Sequence, residues 1–96
     1  MKKNLKRQIK QTYYYENGKK IIGVHNKISG NVNRIYGNVN EIYGNVNRIF
    51  GDVSEISGDV SEITGDVSGV SGDIDLCEIT EEEREKGINI EDLINN

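Results

Sequence analysis

Between Val32 and Val53 the apolar residues fall alternately three and four positions apart: Val32, Ile35, Val39, Ile42, Val46, Ile49 and Val53. On spacing alone this is the seam of a coiled coil. The polar positions rule that reading out. They belong to a seven-residue unit that runs unbroken over residues 30–78: GNVNRIY, GNVNEIY, GNVNRIF, GDVSEIS, GDVSEIT, GDVSGVS and GDIDLCE. A degenerate copy, GVHNKIS, precedes it at residues 23–29. Each unit holds a glycine, at about 1 kcal/mol per helix-interior site relative to alanine, and most other positions hold Val, Ile, Asn, Ser or Asp, all weak helix formers.

The same unit reads well as a strand and a corner. In Ile56-Ser57-Gly58-Asp59-Val60 the Ile, Gly and Val alternate onto one face, while Ser57 and Asp59 take the other. Ser61-Glu62 then shifts the alternation by one, as a two-residue corner does, and Ile63 begins the next side. Mid-strand glycine fits a narrow interior without room for a side chain. The predicted fold class is all-β, a β-solenoid in which each side pairs with the side one coil away. Two-residue corners and charge placement favour a triangular coil of three heptads. A two-sided coil would set Arg34 on Arg48 and Glu41 on Glu55, like charges about 4.8 Å apart at a cost of up to about 1 kcal/mol even in water.

Flanking segments divide the chain into a basic arm and hairpin cap (1–29), the heptad solenoid (30–78) and a C-terminal cap (79–96). Leu5 and Ile9 stand at helical spacing in the arm, which reads as a short helix or a disordered segment. Tyr13-Tyr14-Tyr15 and Lys19-Lys20-Ile21-Ile22 flank Asn17-Gly18, a type I′ turn signal, and predict a β-hairpin. Thr80-Glu81-Glu82-Glu83 is a capping box opening a short helix that Gly87 ends, after which Ile88, Ile90, Leu93 and Ile94 can cover the last coil.

The 96 residues are 34% hydrophobic, with one Phe and no Trp, which allows one domain with a thin column of Val and Ile for a core. No apolar run approaches membrane-spanning length and no signal-peptide pattern is present, so the expected location is the cytoplasm, without membrane contact. Cys77 occupies an inward repeat position and reads as a buried small hydrophobe. His25, the only histidine, reads as an edge-of-stack residue: it has no partner for metal binding and no acyl-transfer constellation around it. The Gly-Asp steps lack the paired glycines and carboxylates of calcium-binding repeats. No metal, cofactor, catalytic group or small-molecule substrate is expected, and the chain reads as a non-enzyme.

A net charge of −4 conceals strong asymmetry. Eight Lys and Arg precede residue 30 against Glu16 alone; from Asp52 onward fourteen carboxylates face only Arg84 and Lys86. Within the repeat the residue after glycine is Asn31, Asn38 and Asn45, then Asp52, Asp59, Asp66 and Asp73. The residue before glycine is Tyr36, Tyr43 and Phe50, then Ser57, Thr64 and Ser71. Asp52, Glu55, Asp59, Glu62, Asp66 and Asp73 therefore form the candidate acidic binding surface. Tyr36, Tyr43 and Phe50 form an aromatic girdle that needs a cover, a second copy of the chain being the expected one. Tyrosines beside lysines in the hairpin also offer a stacking platform for single-stranded nucleic acid.

The repeat and the tail CEITEEEREKGI resemble a group of short heptad-repeat proteins from phages and low-GC bacteria, whose units read G-[ND]-V-x-x-I-x. The resemblance covers residues 30–94 and implies no catalytic residue. By architecture alone the chain is similar to pentapeptide-repeat proteins that mimic duplex DNA, though the unit here is seven residues. The expected function is a protein-binding inhibitor whose acidic body occupies a nucleic-acid site on a host protein, as a phage-type anti-CRISPR or anti-restriction protein would. The alternatives are a structural or self-assembly module and nucleic-acid binding through the basic head.

Overall fold

The computed structural model describes residues 1–6 and 10–95. Ile9, half of the helical-spacing pair in the basic arm, lies outside the described residues. Among the described residues there are ten short strands: β1 (Thr12–Glu16), β2 (Lys19–Ile22), β3 (Ile28–Ser29), β4 (Ile35–Asn38), β5 (Ile42–Asn45), β6 (Ile49–Asp52), β7 (Ile56–Asp59), β8 (Ile63–Asp66), β9 (Gly72–Asp73) and β10 (Ile88–Asn89). A 3₁₀ turn spans Ile74–Cys77, helix α1 spans Glu81–Lys86, and a second 3₁₀ turn spans Ile90–Leu93. The result is a mostly β, solenoid-like molecule of short parallel strands, with an antiparallel hairpin at one end and small helical turns at the other.

Successive heptads go to two sheets in alternation. One sheet has six strands in the order β10-β8-β6-β4-β1-β2, and the other has four in the order β3-β5-β7-β9. Every repeat thus pairs with the repeat two units on, and the triangular, three-heptad coil is corrected to two heptads. The charge argument failed because it stacked the coils in phase, whereas the observed pairing sets Arg34 beside Phe50 and Glu41 beside Ser57. Arg34 lies over the Phe50 ring, 4.9 Å from its centroid, and Arg48 reaches the next coil, where its Nε is 3.6 Å from Glu62 Oε2. Both side chains of that pair are open to solvent, so it adds little stability.

The register is also offset. Ile35 is opposite Gly51, and Ile42 opposite Gly58, sixteen residues away and two more than a pair of heptads. Tyr36 consequently stands beside Asp52, Tyr43 beside Asp59 and Phe50 beside Asp66.

Inward positions hold as expected. Val39, Val46, Val53, Val60 and Val67 are completely buried, and Ile28, Ile35, Ile42, Ile49, Ile56, Ile63, Ile74 and Ile90 are nearly so. At about 1.5–3 kcal/mol per fully buried aliphatic side chain, this column is the main stabilising term. Glycine has a stricter reason than a narrow interior. At Gly37 (φ +100°) and Gly58 (φ +102°) the backbone takes a conformation L side chains rarely adopt. The space where a Cβ would stand at Gly37 is filled by Ser54 Oγ and Asp52 Oδ1 of the next coil.

The ends close as the local sequence dictates. Asn17 (φ +52°) and Gly18 (φ +78°) make the tight turn of the hairpin, and β1 adds in parallel to β4, with Thr12 opposite Gly37. At the other end Thr80 Oγ1 accepts from Glu83 N–H at 3.1 Å, and Glu83 Oε1 accepts from Thr80 N–H at 2.9 Å. These bonds to the carboxylate hold Glu83 below its ordinary pKa, the backbone donor contributing most. Ile88 N–H donates to Glu62 O, extending the six-stranded sheet, while Ile90 is buried and Ile88 and Leu93 pack against the core. Cys77 is corrected: it is exposed, as is Leu76 beside it. The repeat's corner bonds persist through Asp75, whose N–H donates to Asp73 Oδ1 and whose Oδ1 accepts from Asp59 N–H, but the 3₁₀ turn Ile74–Cys77 replaces the next strand and swings the expected inward position to the surface.

Candidate binding surfaces

Two hydrogen bonds recur at every corner and decide where the polar side chains go. The residue after each glycine turns its Oδ1 onto the N–H two residues on: Asn38 onto Asn40 (2.9 Å), Asn45 onto Asn47 (2.8 Å), Asp52 onto Ser54 (2.9 Å), Asp59 onto Ser61 (3.0 Å) and Asp66 onto Ser68 (2.9 Å). The residue at the corner itself accepts from the coil beneath. Asn31 N–H donates to Asn47 Oδ1, Asn38 N–H to Ser54 Oγ, Asn45 N–H to Ser61 Oγ and Asp52 N–H to Ser68 Oγ. Asn and Asp make the first bond equally well, because each presents an oxygen at the same place.

Of the six candidate acids, Asp52 and Asp66 sit on the six-stranded sheet, and Asp59 and Asp73 on the four-stranded sheet. Glu55 and Glu62 occupy corners leading into β7 and β8 respectively. The structure therefore distributes these carboxylates around both sheets and the corners between them. Asp66, Asp73 and Glu55 are exposed; Asp52, Asp59 and Glu62 are half-buried.

Two cations of the described residues are placed among them, Arg48, paired with Glu62, and Arg84 on α1. Arg84 Nη1 donates to Ser61 O at 2.6 Å and stands 3.9 Å from Asp59 Oδ2. Glu62 takes φ +64°, which no other non-glycine residue of the repeat adopts before Glu78. Turning the Ser61–Glu62 peptide presents its carbonyl to the guanidinium, and that bond offsets the left-handed strain. The composition signalled none of this, because Arg84 is outside the repeat.

The aromatic candidates separate. Tyr36 and Phe50 lie on the six-stranded sheet and Tyr43 on the four-stranded one. Tyr43 Oη donates to Asp75 Oδ2. That bond raises the Tyr43 pKa, with desolvation adding to it, and lowers the Asp75 pKa, with the Asp59 N–H assisting. Tyr13 and Tyr15 join Tyr36 and Phe50 on the outer face of the six-stranded sheet, their own rings edge to face at 5.9 Å. Three of these rings carry cations: Lys20 Nζ is 4.3 Å from the Tyr13 centroid, Lys10 Nζ 4.9 Å from Tyr36, and Arg34 4.9 Å from Phe50. The hairpin lysines and tyrosines were visible in the sequence. Their alignment with repeat aromatics was not, since it depends on β1 adding to β4.

His25 is held at the base of the stack, its Nε2 2.8 Å from Val39 O and its Nδ1 accepting from Lys27 N–H at 3.2 Å. That pair of bonds selects the ring tautomer with the proton on Nε2. Among the described residues there is no group of three or more His, Cys, Asp or Glu placed to hold a metal ion. No helix among them is long and apolar enough to cross a membrane. Compared with known proteins, the chain matches no family model, no curated protein and no solved structure.

Proposed function

We propose that the chain is a non-enzymatic, cytoplasmic protein-binding module, built as a two-heptad β-solenoid, whose acidic half occupies a nucleic-acid-binding site on another protein. One observation carries this reading. The corner bond needs an oxygen after the glycine but not a charge, since Asn38 and Asn45 make the bond that Asp52, Asp59 and Asp66 make. The corner bond does not require the charge of Asp52, Asp59 and Asp66, yet it holds each of them by one oxygen. Rigid carriage of closely spaced negative charge is what a cationic cleft built for a phosphate backbone recognises. A phage-type inhibitor of host defence is the concrete form of such a module.

Affinity capture from bacterial lysate identifies the partner, and competition then tests the idea. Duplex DNA or RNA is expected to displace the chain from that partner. The triple substitution Asp52→Asn, Asp59→Asn, Asp66→Asn is expected to leave the circular dichroism spectrum unchanged and to weaken binding about ten-fold at low salt, with a smaller effect as salt rises. Unchanged affinity, or simultaneous binding of partner and nucleic acid, would overturn the proposal.

A further inference from the structure

The outer face of the six-stranded sheet points to a second, oppositely charged site. We infer that Tyr13, Tyr36 and Phe50, with Lys20, Lys10 and Arg34 over their rings, form a platform for single-stranded nucleic acid. The site borders the acidic half, since Asp52 and Asp66 stand beside Tyr36 and Phe50, but its ligand is different from the protein partner proposed above.

Three features of the face argue for this ligand. The rings stand on successive strands of one sheet: Tyr13 on β1, Tyr36 on β4 and Phe50 on β6, in the order the sheet gives. The two-residue offset places each repeat ring beside the Asp of the next coil rather than beside the next ring. Same-face neighbours on that diagonal are about 7–8 Å apart, so the rings run as a stepped row across the face and do not pack into a closed apolar cluster. Finally, each ring carries a cation 4.3–4.9 Å from its centroid, and these long side chains can swing from the ring face to a phosphate as a base takes their place on the ring. Lys2, Lys3 and Lys6, a few residues before β1 in the chain, are exposed as well. Duplex DNA fits less well, because its bases are stacked on each other and offer no free face to a ring. The tyrosine on the other sheet, Tyr43, bonds to Asp75 and has no cation over it among the described residues, so it is an internal control.

The chain itself supplies the test substitutions. Ser57 and Ser71 stand where Tyr36 and Phe50 stand in their units, so Tyr36→Ser and Phe50→Ser keep the repeat. Anisotropy of a fluorescein-labelled 20-nucleotide oligothymidylate is the readout, with the full chain at 50–200 mM salt. Saturable binding is expected, with a log–log salt slope of about −2 from three phosphate-neutralising cations. Tyr36→Ser and Phe50→Ser are each expected to weaken it about five-fold or more, Lys10→Gln with Arg34→Gln to flatten the slope, and Tyr43→Ser to do neither. Absence of binding at 50 mM salt, equal losses in Tyr43→Ser, or tighter binding to the duplex than to the single strand would overturn the proposal. So would sedimentation equilibrium showing that the face is covered by a second copy, with dimer dissociation in Tyr36→Ser. Asp52→Asn, Asp59→Asn, Asp66→Asn is expected to leave oligothymidylate binding intact or stronger, which distinguishes failure of this site from failure of the acidic one.

Discussion

The first three repeats and the next three make much the same backbone out of different side chains, the corners at Glu62 (φ +64°) and Gly69 (φ +76°) being the exceptions. In the first set Asn follows the glycine, Asn stands at the corner and an aromatic precedes the next glycine; in the second set these are Asp, Ser, and Ser or Thr. Yet the corner bonds match in kind and length across the boundary, as Asn45 to Asn47 at 2.8 Å and Asp52 to Ser54 at 2.9 Å show. The buried column of Val and Ile continues through it unchanged. Folding therefore constrains three things in each unit: the glycine, the two apolar residues, and an oxygen at each of two polar positions. What it leaves free is charge and aromatic content, and these are what differ between the halves.

The strongest way to break the comparison is to attack a shared requirement in each half. Gly37→Val and Gly58→Val both force a β-branched residue into positive φ. They also drive a Cβ into the coil above, 2.9 Å from the Asp75 backbone nitrogen in the second case. Strain and overpacking together cost about 3 kcal/mol or more, out of a total of about 5–15 kcal/mol for an ordinary domain. Urea denaturation is expected to show the two variants equally damaged, within about 1 kcal/mol. If only one half suffered, the equivalence of the halves would be lost.

Next in size is a feature only the acidic half possesses. Arg84→Met keeps most of the side chain's length but removes the donor to Ser61 O, leaving Glu62 in a left-handed conformation with nothing to offset it. A loss of about 1–2 kcal/mol is expected for a hydrogen bond from a charged group. Adding Glu62→Gly should recover part of that loss, since glycine takes positive φ without strain. A full loss with no recovery would mean that the helix, and not the turn, depends on Arg84.

How much of this was legible follows from where each signal resides. The inward Val and Ile, the Asn17-Gly18 turn and the Thr80–Glu83 capping box are local, and each was readable from a few consecutive residues. The number of sides per coil is not local. An in-phase heptad fits two or three sides equally, and the charge argument that chose three assumed in-phase stacking, which the two-residue offset abolishes by setting Arg34 beside Phe50. Cys77 was misplaced for a related reason, because the period was extended past Asp73. Leu76 was the available warning: an apolar residue stands where five of the six earlier units put Arg or Glu at the corner. At the candidate surfaces, the acids and repeat aromatics could be named from the sequence. Their distribution over two sheets, and the joining of Tyr13 to Tyr36 and Phe50, needed the register.

A finer exchange tests whether the polar pairs are interchangeable. Asp52→Asn with Ser54→Asn rewrites one unit of the second half in the style of the first. The amide oxygen introduced by Ser54→Asn can replace the hydroxyl as acceptor from Asn38 N–H, as the Asn47 side chain accepts from Asn31 N–H. The expected change in stability is within about 0.5 kcal/mol, whereas Asp52→Ala with Ser54→Ala leaves two backbone donors without partners and is expected to cost about 1–3 kcal/mol. Equal stability of the two double variants would show that the corner oxygens contribute nothing.

The smallest effect links the halves directly, because Tyr43 belongs to the first and Asp75 to the end of the second. Their bond needs a neutral phenol and an ionised carboxylate. The Asp75 pKa is lowered, mainly by the Tyr43 hydroxyl, so its contribution to stability is present above the ordinary Asp range and disappears as pH falls through the depressed folded value. The Tyr43 pKa is raised, mainly by the same bond, so that contribution is present below pH of about 10 and disappears as pH rises through the elevated folded value. Tyr43→Phe is therefore expected to lower the thermal midpoint slightly across the neutral range and to converge with the parent at both extremes. Both groups are exposed to solvent, so the effect is modest and shared with water. An equal deficit at every pH would trace the loss to ring packing on the four-stranded sheet and not to the bond. A parent that outlasts the variant only between those limits would show that a cross-repeat hydrogen bond ties the aromatic half to the acidic one.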